Sequence, residues 1–200
     1  MLQNAPEWDN QIFYAINGWR SDFFDIVMPI FSLTWVMWIL GLGVFVVLTI
    51  RTLRHKDKLP HFRRIFFGMA LFLVTAGITD LVTVAVKSGV GRARPYQTLP
   101  LVYYKTKSHW HLNSADFKPI PHRADSFLSG HAAHSMAVAV TAATLCPPLS
   151  PVIYAMPLVV GYSRMYMGRH YPSDILGGWL AGACVAFLIR RLTRGIRKKI

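Results

Sequence analysis

The sequence predicts an all-α protein: an integral membrane bundle of about five transmembrane helices, preceded by an amphipathic helix at the membrane interface. Of the 200 residues, 53% are hydrophobic and only 16% are charged, and the apolar residues fall into long runs between polar connections. The mean hydropathy is +0.34. This much apolar surface exceeds what the core of a soluble domain takes up. We expect residues 1–200 to form one membrane-embedded domain.

The N-terminal segment is polar and mixed, without the basic head and apolar stretch of a secretory signal peptide. Its side chains Ile12, Phe13, Ile16 and Trp19 recur at helical spacing, which predicts a short amphipathic helix lying at the interface. The first span follows at residues 26–50, a run without any charge. That length is sufficient to cross a hydrocarbon core of about 30 Å.

Further spans are predicted along the rest of the chain, and two of them carry polar groups near one end. They cover residues 65–86, 129–146, 152–167 and 172–189. Asp80 interrupts the second span, Arg164 lies near the end of the fourth and Asp174 near the start of the fifth. Because the last two runs fall short of the roughly 20 apolar residues that a span prefers, we expect Arg164 and Asp174 to lie within the membrane boundary.

Basic residues in the connections predict the orientation of the bundle. Two clusters fall on the same side of five spans: Arg51, Arg54, Lys56, Lys58, Arg63 and Arg64 after the first span, and Arg190, Arg191, Arg194, Arg197, Lys198 and Lys199 at the C-terminus. The positive-inside rule assigns that side to the cytoplasm and places the N-terminus outside. We expect both clusters to contact lipid headgroups of the bilayer, since no motif supports nucleic-acid binding.

A second group of basic residues remains on the outer side, against the usual bias. Its members are Lys87, Arg92, Arg94, Lys105, Lys107, Lys118, Arg123, Arg164 and Arg169. Lys87, Arg94 and Arg164 lie in two of the segments that meet there, residues 87–95 and 163–174. A guanidinium grips phosphate oxygens through paired hydrogen bonds, so these three cations predict a site for an anionic ligand.

A third outer segment supplies the N-terminus of a helix. Ser129, Gly130 and His131 begin the third predicted span, where unpaired backbone N–H groups and the helix dipole attract an anion. We expect Gly130 to let the anion approach the backbone. Each segment alone has an ordinary structural explanation, as a headgroup anchor or a helix cap, but ionisable groups that converge at a membrane edge indicate function.

His170 and Asp174 are separated by one helical turn in the last of these segments. An imidazole whose Nδ1–H is held by a carboxylate presents Nε2 as a base or a nucleophile. With His131 protonating the leaving oxygen, the set is sufficient for phosphoryl transfer. The pattern predicts attack by His170, a phosphohistidine and its hydrolysis by water.

Together the three segments resemble the type 2 phosphatidic acid phosphatase superfamily, whose blocks are K-x6-R-P, P-S-G-H and S-R-x5-H-x3-D. The matching residues are Lys87 with Arg94 and Pro95, Leu128 to His131, Ser163 with Arg164, and His170 with Asp174. Leu128 stands where the family usually has proline. The resemblance implies that His170 is the nucleophile, Asp174 its partner and His131 the general acid. It also implies that no metal or cofactor is needed and that the phosphate is bound by Lys87, Arg94, Ser129, Gly130 and Arg164.

The predicted spans favour a lipid substrate, because a site at the outer bilayer edge suits a phosphate at headgroup depth. We expect a bacterial-type lipid phosphatase of the inner membrane with its site on the periplasmic face. It would hydrolyse undecaprenyl diphosphate, phosphatidic acid, phosphatidylglycerophosphate or a lipid A phosphate. Two alternatives remain: a lipid phosphotransferase that uses the same intermediate, and a lipid or anion transporter whose cations only bind. The transporter leaves the spacing of His170 and Asp174 unexplained.

Several other features have two interpretations each. Asp80 orients Lys87 or makes a polar contact in the bundle. His134 either hydrogen-bonds within the bundle or forms a zinc site with His131, although no third ligand has motif spacing. The loop at 96–127 is a lid or selectivity element over the phosphate site, or an interfacial belt of aromatic side chains.

Overall fold

A computed structural model describes residues 5–54, 58–106, 109–119, 125–145 and 147–197. Helices account for most of them. Their bounds are α1 Glu7–Asn17, α2 Asp22–Phe31, α3 Thr34–Leu53, α4 Lys58–Val90, α5 Pro95–Thr98, α6 Gly130–Leu145, α7 Ser150–Tyr166, α8 Pro172–Leu192 and α9 Arg194–Arg197. Five of the basic residues named above, Lys56, Lys107, Arg123, Lys198 and Lys199, lie outside the described residues.

The N-terminal helix forms as predicted, but its buried face differs from the expected apolar stripe. Asp9, Phe13 and Asn17 are each 1% exposed or less, and their spacing of four residues places them on one side of α1. Ile12 points outward with 45% exposed. Two polar side chains of α1 thus have partners inside the bundle, and the position of the helix at a membrane interface stays a prediction.

The first predicted span is broken into α2 and α3. Pro29 lies inside α2, and the helix ends two residues later in tight turns, with the N–H groups of Ser32 and Leu33 donating to the carbonyls three residues earlier at 3.1 Å. The Ser32 hydroxyl lies 2.6 Å from Ser163 Oγ on α7, which donates to the Met28 carbonyl. A polar residue of α7 thus completes the hydrogen bonding of the break.

Close packing of α6 against α8 brings the functional segments together. A Cβ at Gly182 would lie 2.1 Å from the Ala133 carbonyl oxygen, and a Cβ at Gly178 would lie 2.6 Å from that of Ser129. These glycines, four residues apart, let the two backbones approach as small residues do in membrane helix pairs. The Ser129 N–H donates to the Asp174 carbonyl at 3.0 Å, so the N-termini of α6 and α8 lie side by side.

The loop at 96–127 contains an antiparallel hairpin, which the all-α prediction missed. Strand β1, Tyr103–Thr106, pairs with β2, His109–Leu112, with Tyr103 opposite Leu112 and Thr106 opposite His109. Aromatic and β-branched side chains favour strands. Two tyrosines and a threonine form most of β1, and Val102 precedes it. Residues 107–108 and 120–124 of this loop are outside the described residues.

Two stretches of the described chain, Ile65–Thr98 and Pro172–Leu192, are long and apolar enough to cross a membrane by themselves. Large apolar side chains on these helices point away from the bundle: Leu81 is 71% exposed on α4 and Leu180 is 67% exposed on α8. A helix that is apolar on its outer face as well as its inner face is typical of a membrane protein.

Candidate active site

His170 lies in the short connection between α7 and α8 and is only 1% exposed. Gly168 turns the chain there with φ at +71°, and a Cβ on it would lie 2.5 Å from the Tyr103 carbonyl oxygen. The turn therefore requires glycine. Pro172 occupies the first turn of α8, where its missing N–H removes no helical hydrogen bond. The connection holds the His170 ring at the start of α8, beside Asp174.

Asp174 is buried one helical turn after His170, and both of its carboxylate oxygens have donors. Its Oδ2 lies 3.6 Å from His170 Nδ1. The same oxygen accepts hydrogen bonds from Ser126 Oγ at 2.5 Å and from the Tyr171 N–H at 2.9 Å. Its Oδ1 accepts from Arg92 Nη1 at 2.8 Å. We call Asp174 and these three donors the support network, since they fix the carboxylate beside the imidazole.

The environment of His170 favours its neutral form. Burial is the largest cause that lowers the pKa of His170 to about 4; the guanidiniums of Arg164 and Arg94 act in the same direction and the Asp174 carboxylate opposes them. The ring is therefore neutral at pH 7 and keeps a lone pair. Within the described residues Nδ1 has no hydrogen-bond partner, and its separation from Asp174 is longer than a hydrogen bond.

Three cations, which we call the cationic cluster, meet close to this ring: Lys87, Arg94 and Arg164. Lys87, in the last turn of α4, interacts electrostatically with both Arg94 and Arg164. Arg164 is 8% exposed, and its Nε is buried with no hydrogen-bond partner among the described side chains and backbone. A buried donor without a partner costs about 1–3 kcal/mol, so this guanidinium is suited to an anionic ligand.

Arg94 is held differently, in a fork with a carboxylate. Its Nε and Nη2 donate to Asp125 Oδ1 and Oδ2 at 2.9 and 3.0 Å. This geometry matches the paired contact that a guanidinium makes with phosphate. The Asp125 side chain is 36% exposed, so it is accessible for exchange. Sequence reasoning missed Asp125 because nothing in its position relative to the motif indicates a partner for Arg94.

The N-terminus of α6 is capped by one of the predicted phosphate ligands. Ser129 is fully buried, and its Oγ accepts a hydrogen bond from the Ala132 N–H at 3.4 Å. A Cβ at Gly130 would lie 3.3 Å from Thr83 Cγ2 on α4, so glycine lets α6 approach that helix. Capping by Ser129 satisfies one of the helix N–H groups that was predicted to attract the anion.

His131 lies in the first turn of α6 and faces the rest of the site. Its ring is hydrogen-bonded to the backbone of Ser32, at the break between α2 and α3, and interacts electrostatically with Arg164 and His170. The eight predicted site residues come together at one end of the bundle, from the end of α4, the segment before α5, the start of α6, the end of α7, the α7–α8 connection and the start of α8.

Arg92 and Ser126 are buried polar residues beside Asp174 that sequence reasoning did not assign to the site. Both donate to Asp174, and the Ser126 N–H also donates to the Arg92 carbonyl at 2.8 Å. Arg92 was included only among the outer basic residues. The available signal was its place between Lys87 and Arg94, but no pattern in the sequence links it to a carboxylate partner 82 residues away.

Asp80 and His134 lie apart from the support network. His134 Nδ1 is 2.9 Å from the Gly130 carbonyl, and its Nε2 is 3.9 Å from Asp80 Oδ1. The first contact is the hydrogen bond within the bundle that the sequence predicted as one alternative. Among the described residues, no three His, Cys, Asp or Glu side chains are grouped so that they could hold a metal ion.

The β1–β2 hairpin is attached beside the site through Arg169, the neighbour of His170. Arg169 Nη2 donates to the Lys105 carbonyl at 2.5 Å, and its guanidinium lies over the Tyr96 ring. Tyr96 stacks on Tyr104, which stacks on His111. These contacts place aromatic side chains of the loop next to the α7–α8 connection. The use of the loop at 96–127 as a lid, a selectivity element or an interfacial belt stays a prediction.

Known proteins are similar to this chain in sequence and in fold. The family model of the PAP2 superfamily matches residues 67–198. The chain belongs to the PAP2 superfamily. This confirms the resemblance that the three motif blocks carry.

Two relatives come from Bacillus subtilis (strain 168). The undecaprenyl-diphosphatase BcrC is 32% identical over 79 residues, which are 39% of this chain and 41% of the relative. Phosphatidylglycerophosphatase B is 27% identical over 149 residues, which are 68% of this chain and 63% of the relative. The aligned regions thus span less than two thirds of either named protein.

The solved structures extend the similarity over almost the whole chain. The crystal structure of Aquifex aeolicus LpxE superimposes with a TM-score of 0.69 at 18% identity, covering 96% of this chain and 99% of that one. A transmembrane PAP2-type phosphatidylglycerolphosphate phosphatase from Bacillus subtilis superimposes with a TM-score of 0.59 at 21% identity. It covers 96% of this chain and 86% of the solved one. These likenesses establish the fold.

Proposed function

We propose that this chain is an integral membrane lipid phosphatase that works through a phosphohistidine on His170. The observation that carries the proposal is the juxtaposition of a neutral, buried imidazole with the cationic cluster. Arg164 in that cluster has a buried donor without a partner among the described residues. A nucleophile beside cations, one of which has an unsatisfied donor, fits phosphoryl transfer better than binding alone.

The first step is attack by His170 Nε2 on the phosphorus of the substrate. A nitrogen–phosphorus bond forms and the bond from phosphorus to the lipid oxygen breaks. His131 gives its proton to that oxygen, which leaves as an alcohol or, from a diphosphate, as a lipid monophosphate. The cationic cluster neutralises the charge on the three phosphoryl oxygens. The support network stabilises the positive charge that develops on the His170 ring.

The second step returns the free enzyme. Water attacks the phosphorus while neutral His131 takes its proton. The nitrogen–phosphorus bond breaks, its electron pair returns to Nε2, and inorganic phosphate is released. None of these steps requires a redox change, and His131 is ready to act as acid again once it has been protonated by the water.

The chemistry of the relatives favours a lipid substrate. The relatives include an undecaprenyl-diphosphatase, a phosphatidylglycerophosphatase and lipid A 1-phosphatases. We propose a lipid phosphate of this kind, in a bilayer crossed by five helices, α3, α4, α6, α7 and α8. With the basic clusters facing the cytoplasm, as the positive-inside rule favours, we propose a cytoplasmic C-terminus and a site at the periplasmic face of a bacterial inner membrane.

The test is the release of inorganic phosphate by purified protein in detergent from a panel of these lipids. Replacing the nucleophile with His170→Asn should reduce turnover by about 10³-fold or more, while the protein stays folded. His109→Asn, an exposed histidine of β2, is the matched control and should keep wild-type activity. Retained turnover in His170→Asn would contradict the proposal.

The same preparation separates the two alternatives. A phosphotransferase would move labelled phosphate from one lipid to the hydroxyl or phosphate of another, with little free phosphate. A transporter would release none in detergent, where there is no second compartment. Phosphate release that depends on His170 supports hydrolysis over both.

A further inference from the structure

Asp9 is a fully buried carboxylate on the N-terminal helix, outside every motif block of the sequence. Its Oδ2 accepts hydrogen bonds from Arg92 Nη2 and Ser173 Oγ, each at 2.6 Å, and its Oδ1 accepts from the Ser173 N–H at 2.8 Å. A buried charge is retained only when it is paired and hydrogen-bonded. Asp9 meets that condition entirely with residues that adjoin Asp174.

Arg92 connects the two carboxylates through separate nitrogens of one guanidinium. Nη2 donates to Asp9, while Nη1 donates to Asp174 Oδ1 at 2.8 Å and to Ser173 Oγ at 2.6 Å. The guanidinium also lies 4.1 Å from the centre of the Tyr171 ring. A planar, forked cation is needed for this arrangement, since an ammonium presents a single nitrogen. The position of Arg92, and with it that of Asp174 Oδ1, therefore depends on Asp9.

The charges add a second effect. Arg92 alone would neutralise Asp174, which must keep negative charge to stabilise the cation that forms on His170. Asp9 shares the positive charge of Arg92, so that the two carboxylates and one guanidinium retain one net negative charge beside the ring. Positioning and charge both act on His170 through Asp174.

Docking of α1 does not depend on Asp9 alone. Asn17, two turns further along α1, donates to the carbonyls of Tyr103 and Tyr166 at 2.8 and 2.9 Å and accepts from the Tyr103 N–H. Phe13 is fully buried in the cluster of apolar side chains beneath the site. Among the described residues, the hydrogen bonds of Asn17 go to Tyr103, Met165 and Tyr166. None of these belongs to the support network, so anchoring of the helix and positioning of Asp174 are separable.

We propose that Asp9 and Arg92 form a positioning relay that makes α1 part of the catalytic apparatus, by orienting Asp174 and preserving its charge for His170. The inference rests on the proposed function. Asp9 touches no substrate in this arrangement. Its effect reaches the reaction through Arg92 and Asp174.

The experiment compares steady-state kinetics and thermal unfolding of Asp9→Asn and Asn17→Ala with the wild type. Asp9→Asn places an amide donor opposite the donors of Arg92 and Ser173, so we expect kcat to fall about 10- to 100-fold. KM should stay within about twofold, because the cationic cluster is untouched. Asn17→Ala should lower the unfolding temperature while the folded protein keeps the wild-type kcat. Glu7→Gln, an exposed residue of α1, should change neither quantity.

The outcomes separate this inference from the proposed function. An active wild type with an unchanged kcat in folded Asp9→Asn overturns the relay alone, as does a loss of kcat in Asn17→Ala equal to that in Asp9→Asn. If Asp9→Asn does not fold, the same kcat and KM measurements on Arg92→Lys test the relay. The same fall in kcat is expected there, because an ammonium cannot bridge both carboxylates. A wild type that releases no phosphate from any lipid overturns the proposed function and the relay with it.

Discussion

The two sides of the His170 site differ in how fully the chain satisfies their hydrogen-bonding groups. On one side, the Asp174 carboxylate has a donor for each oxygen, including Arg92 and Ser126. On the other, the buried Nε of Arg164 has no hydrogen-bond partner in the described part of the chain. The chain therefore satisfies the carboxylate beside His170 internally, whereas the guanidinium of Arg164 is suited to an external anion.

The comparison is tested most strongly at Arg164. Arg164→Lys keeps a positive charge but removes the forked donors, so we expect kcat/KM for lipid phosphate to fall about 100-fold or more. Arg190→Lys, at an exposed position in the last turn of α8, is the matched control and should leave kcat/KM unchanged. Steady-state phosphate release checks both. A kcat/KM of Arg164→Lys near that of the wild type would show that only the charge is used.

Replacing Asp125 should have a smaller effect than replacing Arg164, and it should strengthen phosphate binding where Arg164→Lys weakens it. Its carboxylate occupies the fork of Arg94 that a phosphate would use, so substrate and carboxylate compete. Asp125→Asn weakens the competitor, and inorganic phosphate should inhibit about three- to tenfold more strongly. Asp116→Asn, an exposed residue of the same loop, should leave inhibition unchanged. Weaker inhibition in Asp125→Asn would mean instead that Asp125 holds Arg94 ready for phosphate.

The smallest effect concerns pH. Protonation removes the lone pair of His170, and because its pKa is lowered to about 4 by burial, this loss occurs only as the pH falls toward that value. We expect kcat/KM, corrected for ionisation of the substrate phosphate, to change little between pH 7 and 6 from this cause. Half-loss of corrected kcat/KM near pH 6.5 would show that the ring is solvated in the active enzyme.

The site was more predictable from the sequence than the network behind it. Charged residues such as Lys87 and Arg164 are easily recognised beside apolar runs, and His170 and Asp174 are close in sequence. The chemistry of these residues can therefore be inferred from the linear sequence. Asp9 and Arg92 are 83 residues apart. No periodicity links such a pair, and only folding brings the two side chains together.

The fold shows the same division between local and distant causes. The bounds of α8 begin where predicted, at Pro172, because a proline signals a helix start. The break between α2 and α3 was missed, since the run is uniformly apolar and the partner of Ser32 lies on α7. Pro29 was the one local signal. The sequence predicts a loop where the hairpin lies, because its short strands carry polar and aromatic residues without a long alternating pattern.

The most direct measurement of the central claim is the path of the phosphoryl group during turnover. Labelled lipid phosphate, quenched in base and mapped by mass spectrometry, should place the label on His170. A substrate chiral at phosphorus should give retained configuration, because two displacements restore it. Inverted configuration, or a label on another residue, would contradict attack by His170.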